Sequence, residues 1–78
     1  HGKYTSLAMF WCAADMVKLL LSKALEKDEE SVAAYHEAEK IFMSMQRLYP
    51  KIYDDTGAAQ QTLNNLAEAL KVTLNRVK

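Results

Sequence analysis

The sequence predicts an all-α fold, an antiparallel three-helix bundle. Apolar residues recur every three or four positions through three long stretches, which is the period of a helix buried along one side. The chain has only 2 Gly and 1 Pro in 78 residues, so it has few places to turn. Its bulk is Ala, Leu, Met, Glu, Lys and Gln, the strong helix formers. Long helices joined by short connections place their neighbours antiparallel. The length suits one domain, read as residues 5–78. Residues 1–4 read as a tag remnant or disordered start, because the chain opens with His-Gly. Half of the residues are hydrophobic and 26% are charged, a globular balance. A chain this short buries only a modest core and is marginally stable.

The first helix is expected from Thr5 or Ser6, either hydroxyl serving as N-cap, to about Lys27. Phe10, Ala13, Ala14, Val17, Leu20, Leu21, Ala24 and Leu25 recur at helical spacing and supply its core side. Met9, Trp11, Met16 and Leu19 widen the apolar surface beyond what a single neighbour requires. This helix is therefore either central to the bundle or keeps apolar surface for a partner. The first break is expected in EKDEES, residues 26–31, on electrostatic grounds. Acids favour a helix N-terminus and disfavour a C-terminus, so Glu29 and Glu30 read as the start of the second helix, capped by Asp28 or Ser31. The competing arrangement, one continuous helix from 6 to 48, would expose a long stripe and demand dimerisation.

The second helix is expected to reach Leu48 or Tyr49. Val32, Tyr35, Ala38, Phe42, Met45 and Tyr49 form its core stripe, with Ala34, Ile41 and Leu48 as a flanking row. Pro50 cannot continue the hydrogen-bond ladder and pushes its predecessor out of α geometry. Residues 50–56 make the second connection, with Ile52 and Tyr53 folding back over the core. The third helix starts after Asp55 or Thr56 as N-cap and runs to about Val77. Ala59, Leu63, Leu66, Leu70 and Val77 are its main stripe, with Ala67, Val72 and Leu74 beside it. Gln60, Gln61, Asn64, Asn65, Lys71 and Asn75 face outward. Lys71, Arg76 and Lys78 lie near its C-terminus, where cations suit the helix dipole.

Residue chemistry excludes several function classes. A formal net charge of zero argues against a nucleic-acid module, which shows a basic patch. The apolar first helix is interrupted by Asp15, Lys18 and Lys23, so no stretch approaches the roughly 20 residues a bilayer span needs. Cys12 is the only cysteine, which rules out an intrachain disulfide or a cysteine zinc site and suits a reducing, cytoplasmic setting. Cys12 and His36 could form a nucleophile pair only if their heights matched across an antiparallel hairpin, and no third orienting group is apparent. They read instead as a buried thiol and a surface imidazole. His36 and Glu39, three apart, could converge, but a di-iron bundle needs more ligands. Asp54 and Asp55 read as turn and cap residues. Gly57 alone offers no phosphate loop. The expectation is no enzyme, no metal and no cofactor. Met9, Met16, Met43 and Met45 are adaptable side chains suited to irregular apolar contacts, and Met43, off the core stripe, is the one assigned outside the core.

Tyr35-x-x-Ala38-x-x-x-Phe42, closed by Pro50, resembles the second helix of a tetratricopeptide-type hairpin. One such hairpin followed by a long third helix containing TLNNLAEALKVTL resembles the MIT (microtubule interacting and trafficking) domain, over about residues 7–77. AADMVKLLLSKALEKDEESVAAYHEAEKIF is similar, more narrowly, to the MIT-type repeats in the C-terminal region of autophagy-initiating kinases, with Tyr35-His36-x-Ala38 as the most specific part. The resemblance implies a non-catalytic adaptor that holds an amphipathic helical segment between two helices. The implied partner is a scaffold subunit of an autophagy-initiation complex, or a membrane-remodelling subunit in trafficking.

Two grooves are then candidates. Between the first and third helices the expected walls are Met16, Leu20, Leu66 and Leu70. Between the second and third they are Glu39, Met43 and Leu63. The alternative function is a self-associating structural module, a homodimeric helical assembly.

Overall fold

The computed structural model describes residues 2–77, with side chains from Ser6 onward. Helix α1 spans Gly2–Ala24, α2 spans Ser31–Leu48, a single 3-10 turn covers Tyr49–Lys51, and α3 spans Ala58–Val77. No strand occurs among the described residues. At about 1.5 Å of rise per residue, each helix is too long to lie across a molecule measuring 41 × 18 × 15 Å. All three therefore run along its long axis, and the short connections set α2 antiparallel to both α1 and α3. The most extensive packing is between α1 and α2, and α3 rests against both. The antiparallel three-helix bundle is thus the observed fold.

The core is assembled from one stripe of each helix. Phe10, Ala14, Val17, Leu21 and Ala24 come from α1, Ala34, Tyr35, Ala38, Phe42 and Met45 from α2, and Ala59, Leu63, Leu66 and Leu70 from α3. Phe10, Val17 and Met45 are the largest fully buried side chains. The Phe10 ring lies 6.4 Å from that of Tyr49, centre to centre, and this contact ties α1 to the end of α2. Several expected core positions fall outside. Leu25 is exposed because α1 stops at Ala24. Val32 is exposed because Ser31, not Val32, takes the inward position at the start of α2. Cys12 is exposed and not buried. It sits about 200° around the helix from Phe10, at 100° per residue. Ala67, Val72 and Leu74 are also exposed, while the buried Thr73 takes a core position that the apolar pattern did not mark.

The break between α1 and α2 falls in the acidic stretch, though α1 ends earlier than Lys27 and begins earlier than Thr5 or Ser6, which lie inside the helix; Glu29 and Glu30 precede α2, whose N-cap is Glu30 with no side-chain cap bond, not Asp28 or Ser31. Lys27 adopts φ +55, the left-handed conformation that terminates many helices and that glycine adopts without steric cost. The turn after it is closed by side chains. Asp28 Oδ1 accepts from the Glu30 N–H at 2.9 Å, and Ser31 Oγ accepts from the Asp28 N–H at 2.9 Å. Lys23 Nζ reaches Asp28 at 2.9 Å, Glu26 at 3.2 Å and Glu30 at 3.5 Å. The hydrogen bonds that the Lys23 ammonium donates to Asp28 and then to Glu26 hold it above the ordinary lysine range, and Lys23 is the largest cause of the lowered Asp28 carboxyl.

The second connection departs further from expectation. Tyr49 keeps α geometry at φ −51, ψ −46 although Pro50 follows it. Pro50 lies in the first turn of a 3-10 helix, where its missing N–H would have had no helical partner. Ile52 packs on the core, whereas Tyr53 is exposed. The cap of α3 is Asp54, not Asp55. Its Oδ1 accepts from the Ala59 N–H at 3.0 Å and its Oδ2 from the Gln60 N–H at 3.0 Å. Thr56 contributes a longer contact to the Ala58 N–H at 3.3 Å. Gly57, at φ +77, turns the chain into the helix.

Candidate functional site

The two long outer helices, α1 and α3, run in the same direction and leave a groove between them. It is lined by Leu21 and Ser22 of α1, by Leu25 just beyond its end, and by Asn65, Glu68, Ala69, Val72 and Thr73 of α3, with a cavity volume of about 410 Å³. The end of α1 shapes this groove. Because the helix stops at Ala24, Leu25 sits just outside it and forms one rim. Val72 forms the facing rim, and Leu21, Ala69 and Thr73 make the floor. Ser22, Asn65 and Glu68 add polar atoms. The surface is mostly aliphatic, open to solvent and wide enough for side chains of another chain.

The residues expected to wall an α1–α3 groove are placed differently. Neither Met16 nor Leu20 lines it. Met16 lies about 180° around α1 from Leu25, so it faces away from α3. Leu20 is half-buried on the flank of α1 turned from the groove. Leu66 and Leu70 point into the core and are buried, as is Leu63 of the other candidate groove. Met43 is exposed, in line with its assignment outside the core. Glu39 is exposed too, and its carboxylate stands 4.0 Å from His36 Nδ1. The sequence named this pair of helices and the α2–α3 pair without choosing between them, and the walls it named for the α1–α3 groove lie on other sides of those helices than its lining. Leu25 and Val72, which border it, are large apolar residues at the margins of their helices' stripes.

A second apolar surface lies on the opposite flank of α1. Met9, Cys12, Met16 and Leu19 step by three, four and three residues, and all are exposed, Leu19 at 72%. They form an unbroken row on one side of the helix, which a helix with only one buried stripe does not require.

The polar clusters are structural. Asp54 takes hydrogen bonds from the α3 N-terminus and from the Tyr49 hydroxyl at 2.9 Å. Its bond from the Ala59 N–H is the largest cause holding its carboxyl below the usual carboxylate range, while Asp54 in turn raises the Tyr49 phenol. Burial raises the Tyr35 phenol, with Glu39 adding to it. No group of three His, Cys, Asp or Glu side chains placed to hold a metal occurs among the described residues, and no helix there is long and apolar enough to cross a membrane. No family model matches the chain, and no curated protein or solved structure matches it either.

Proposed function

We propose that the chain is a non-catalytic protein-interaction domain that holds an amphipathic helical segment of a partner in the groove between α1 and α3. The observation that supports this reading most is the groove's composition: an aliphatic floor of Leu21 and Ala69 between two exposed aliphatic rims, Leu25 and Val72. An inserted helix would cover those rims, and helix-in-groove recognition uses apolar anchors of this kind. The likeness to MIT domains gives the partner class: a scaffold subunit of a cytoplasmic autophagy-initiation complex, or a membrane-remodelling subunit. The test is an NMR titration of the chain with helical peptides from such subunits. Shifts centred on Leu25, Ala69 and Val72 support the reading, and a saturating titration that leaves them unmoved overturns it.

The row of Met9, Cys12, Met16 and Leu19 favours a second reading, self-association through α1. Light scattering across a concentration series separates the two. A dimer that Leu19→Gln dissolves supports self-association, and a monomer at every concentration excludes it.

A further inference from the structure

The exposed row on α1 carries a chemistry that contact area alone does not call for. Three of its four members, Met9, Cys12 and Met16, contain sulfur. The chain has 4 Met and 1 Cys, so most of its sulfur stands on one face of one helix. Met45 is buried in the core and Met43 lies on α2. At 100° per residue, Met9, Cys12 and Met16 fall within about 60° of arc. Residues three and four apart on a helix have Cβ atoms about 5–6 Å apart, so Cys12 stands one turn from each methionine. Helical side chains lean toward the N-terminus, which draws Met16 over Cys12 and Cys12 towards Met9. The rotatable bonds of Met9 let its thioether swing back to meet them. Cys12 is a free, exposed thiol, and both methionines are about half exposed.

We propose that Met9, Cys12 and Met16 together bind copper(I). Thiolate and thioether ligands are soft and select this ion. Zinc takes thiolate, imidazole and carboxylate ligands, four in a structural site, and calcium and magnesium take oxygen, so the trio suits none of these. Binding is a ligand exchange with no electron transfer. Cys12 gives its proton to solvent as Sγ bonds to copper, and the ion leaves its carrier. The single thiolate balances the single positive charge, and the two thioethers add neutral donors. The surroundings do not oppose a cation. Asp15, three positions from Cys12, is exposed and negative. Lys18 lies about 120° or more around the helix from all three sulfur residues, and Lys23, two turns beyond Met16, is engaged by Glu26, Asp28 and Glu30. The site needs one chain only, so it stands apart from both the groove and the self-association readings.

The experiment titrates the chain, under anaerobic reducing conditions, against copper(I) held by a coloured chelator such as bicinchoninate. Free N-acetylcysteine at equal concentration sets the level that one thiol alone reaches. The expected result is one copper withdrawn per chain, at an affinity well above that level, with NMR shifts at the Met9 and Met16 methyl groups and none at Met43. Cys12→Ser should abolish the withdrawal. Met9→Leu and Met16→Leu should each weaken it about tenfold or more, since the loss of even an outer partner of a metal site costs that much. Met43→Leu should leave it unchanged. The leucine variants keep the volume and the apolar row, so they remove the donor without removing a contact surface, and circular dichroism checks their folding. Full affinity in both leucine variants would reduce the site to a bare thiol and overturn the proposal. No withdrawal beyond the N-acetylcysteine level, or one copper per two chains from a Cys12 bridge between copies, would overturn it as well.

Discussion

Helices α1 and α3 run parallel, lie on the same partner α2 and contribute similar inward stripes, yet their outward faces are opposites. That of α3 is amide-rich: Gln60 donates to Asn64 at 3.2 Å and Gln61 to Asn65 at 3.0 Å, each pair one turn apart. That of α1 carries Met9, Trp11, Met16 and Leu19. Their ends differ as well. Two backbone N–H groups at the start of α3 are satisfied by Asp54, while the turn after α1 passes through a lysine in a conformation that favours glycine. The difference teaches that α3 is specified by local signals, a cap, a glycine and side-chain amide pairs, whereas α1 depends on what its faces contact.

The sharpest way to break this comparison is to cut into the inward stripes, where the two helices should behave alike. Phe10→Ala is expected to destabilise by about 3–5 kcal/mol and Leu66→Ala by about 2–5 kcal/mol, measured by urea unfolding. A near-silent Leu66→Ala would mean that α3 is not part of one cooperative core. Next comes the cap. Asp54→Ala should lower the melting temperature clearly and Asp55→Ala hardly at all, in paired thermal melts. The folded Asp54 carboxyl titrates below its unfolded value. Its contribution is therefore complete above the unfolded pKa, near 4, and is lost as pH falls through the lower folded value. The gap between wild type and Asp54→Ala should close on acidification. Equal gaps at pH 7 and pH 2 would contradict this.

A smaller effect of opposite sign is expected at the end of α1. Lys27→Gly relieves a left-handed residue and should stabilise by up to about 1 kcal/mol, the steric gain being partly offset by glycine's greater freedom when unfolded. A loss of stability would show that Lys27 makes a compensating contribution. The smallest change belongs to the outward face of α1. Leu19→Gln and Met16→Gln should move stability by no more than about 0.5 kcal/mol. If either lowers it by much more, that face is structural and not available to a partner.

Much of this architecture was legible because it follows from periodicity. The inward rows of α1 and α3 were readable from spacing alone, and the acidic EKDEES break was readable from the helix dipole. The misses lie where side chains and backbone trade hydrogen bonds. Ser31 displaced Val32 from the inward position because its hydroxyl closes the turn. Asp54 displaced Asp55 as cap because the chain needs Gly57 and a further turn before α3 begins. Nothing in composition distinguishes two adjacent aspartates. The candidate site was only half legible for a related reason. Periodicity separates inside from outside, but it does not say which flank of α1 faces α3. That depends on how the bundle is wound, and it is why Leu25 and Val72, and not Met16 and Leu66, border the groove.

The connectivity also sets a tempo. Helices α1 and α2 are joined by a tight turn that side chains from both of its ends hold closed, and they share the largest interface in the molecule. Such a hairpin brings together residues close in sequence, so little chain entropy is lost before its contacts form. Helix α3 can then dock on a surface already half built. Chains dominated by local contacts of this kind fold in microseconds to milliseconds, fast enough for the apolar row on α1 to spend little time exposed beside an unformed core.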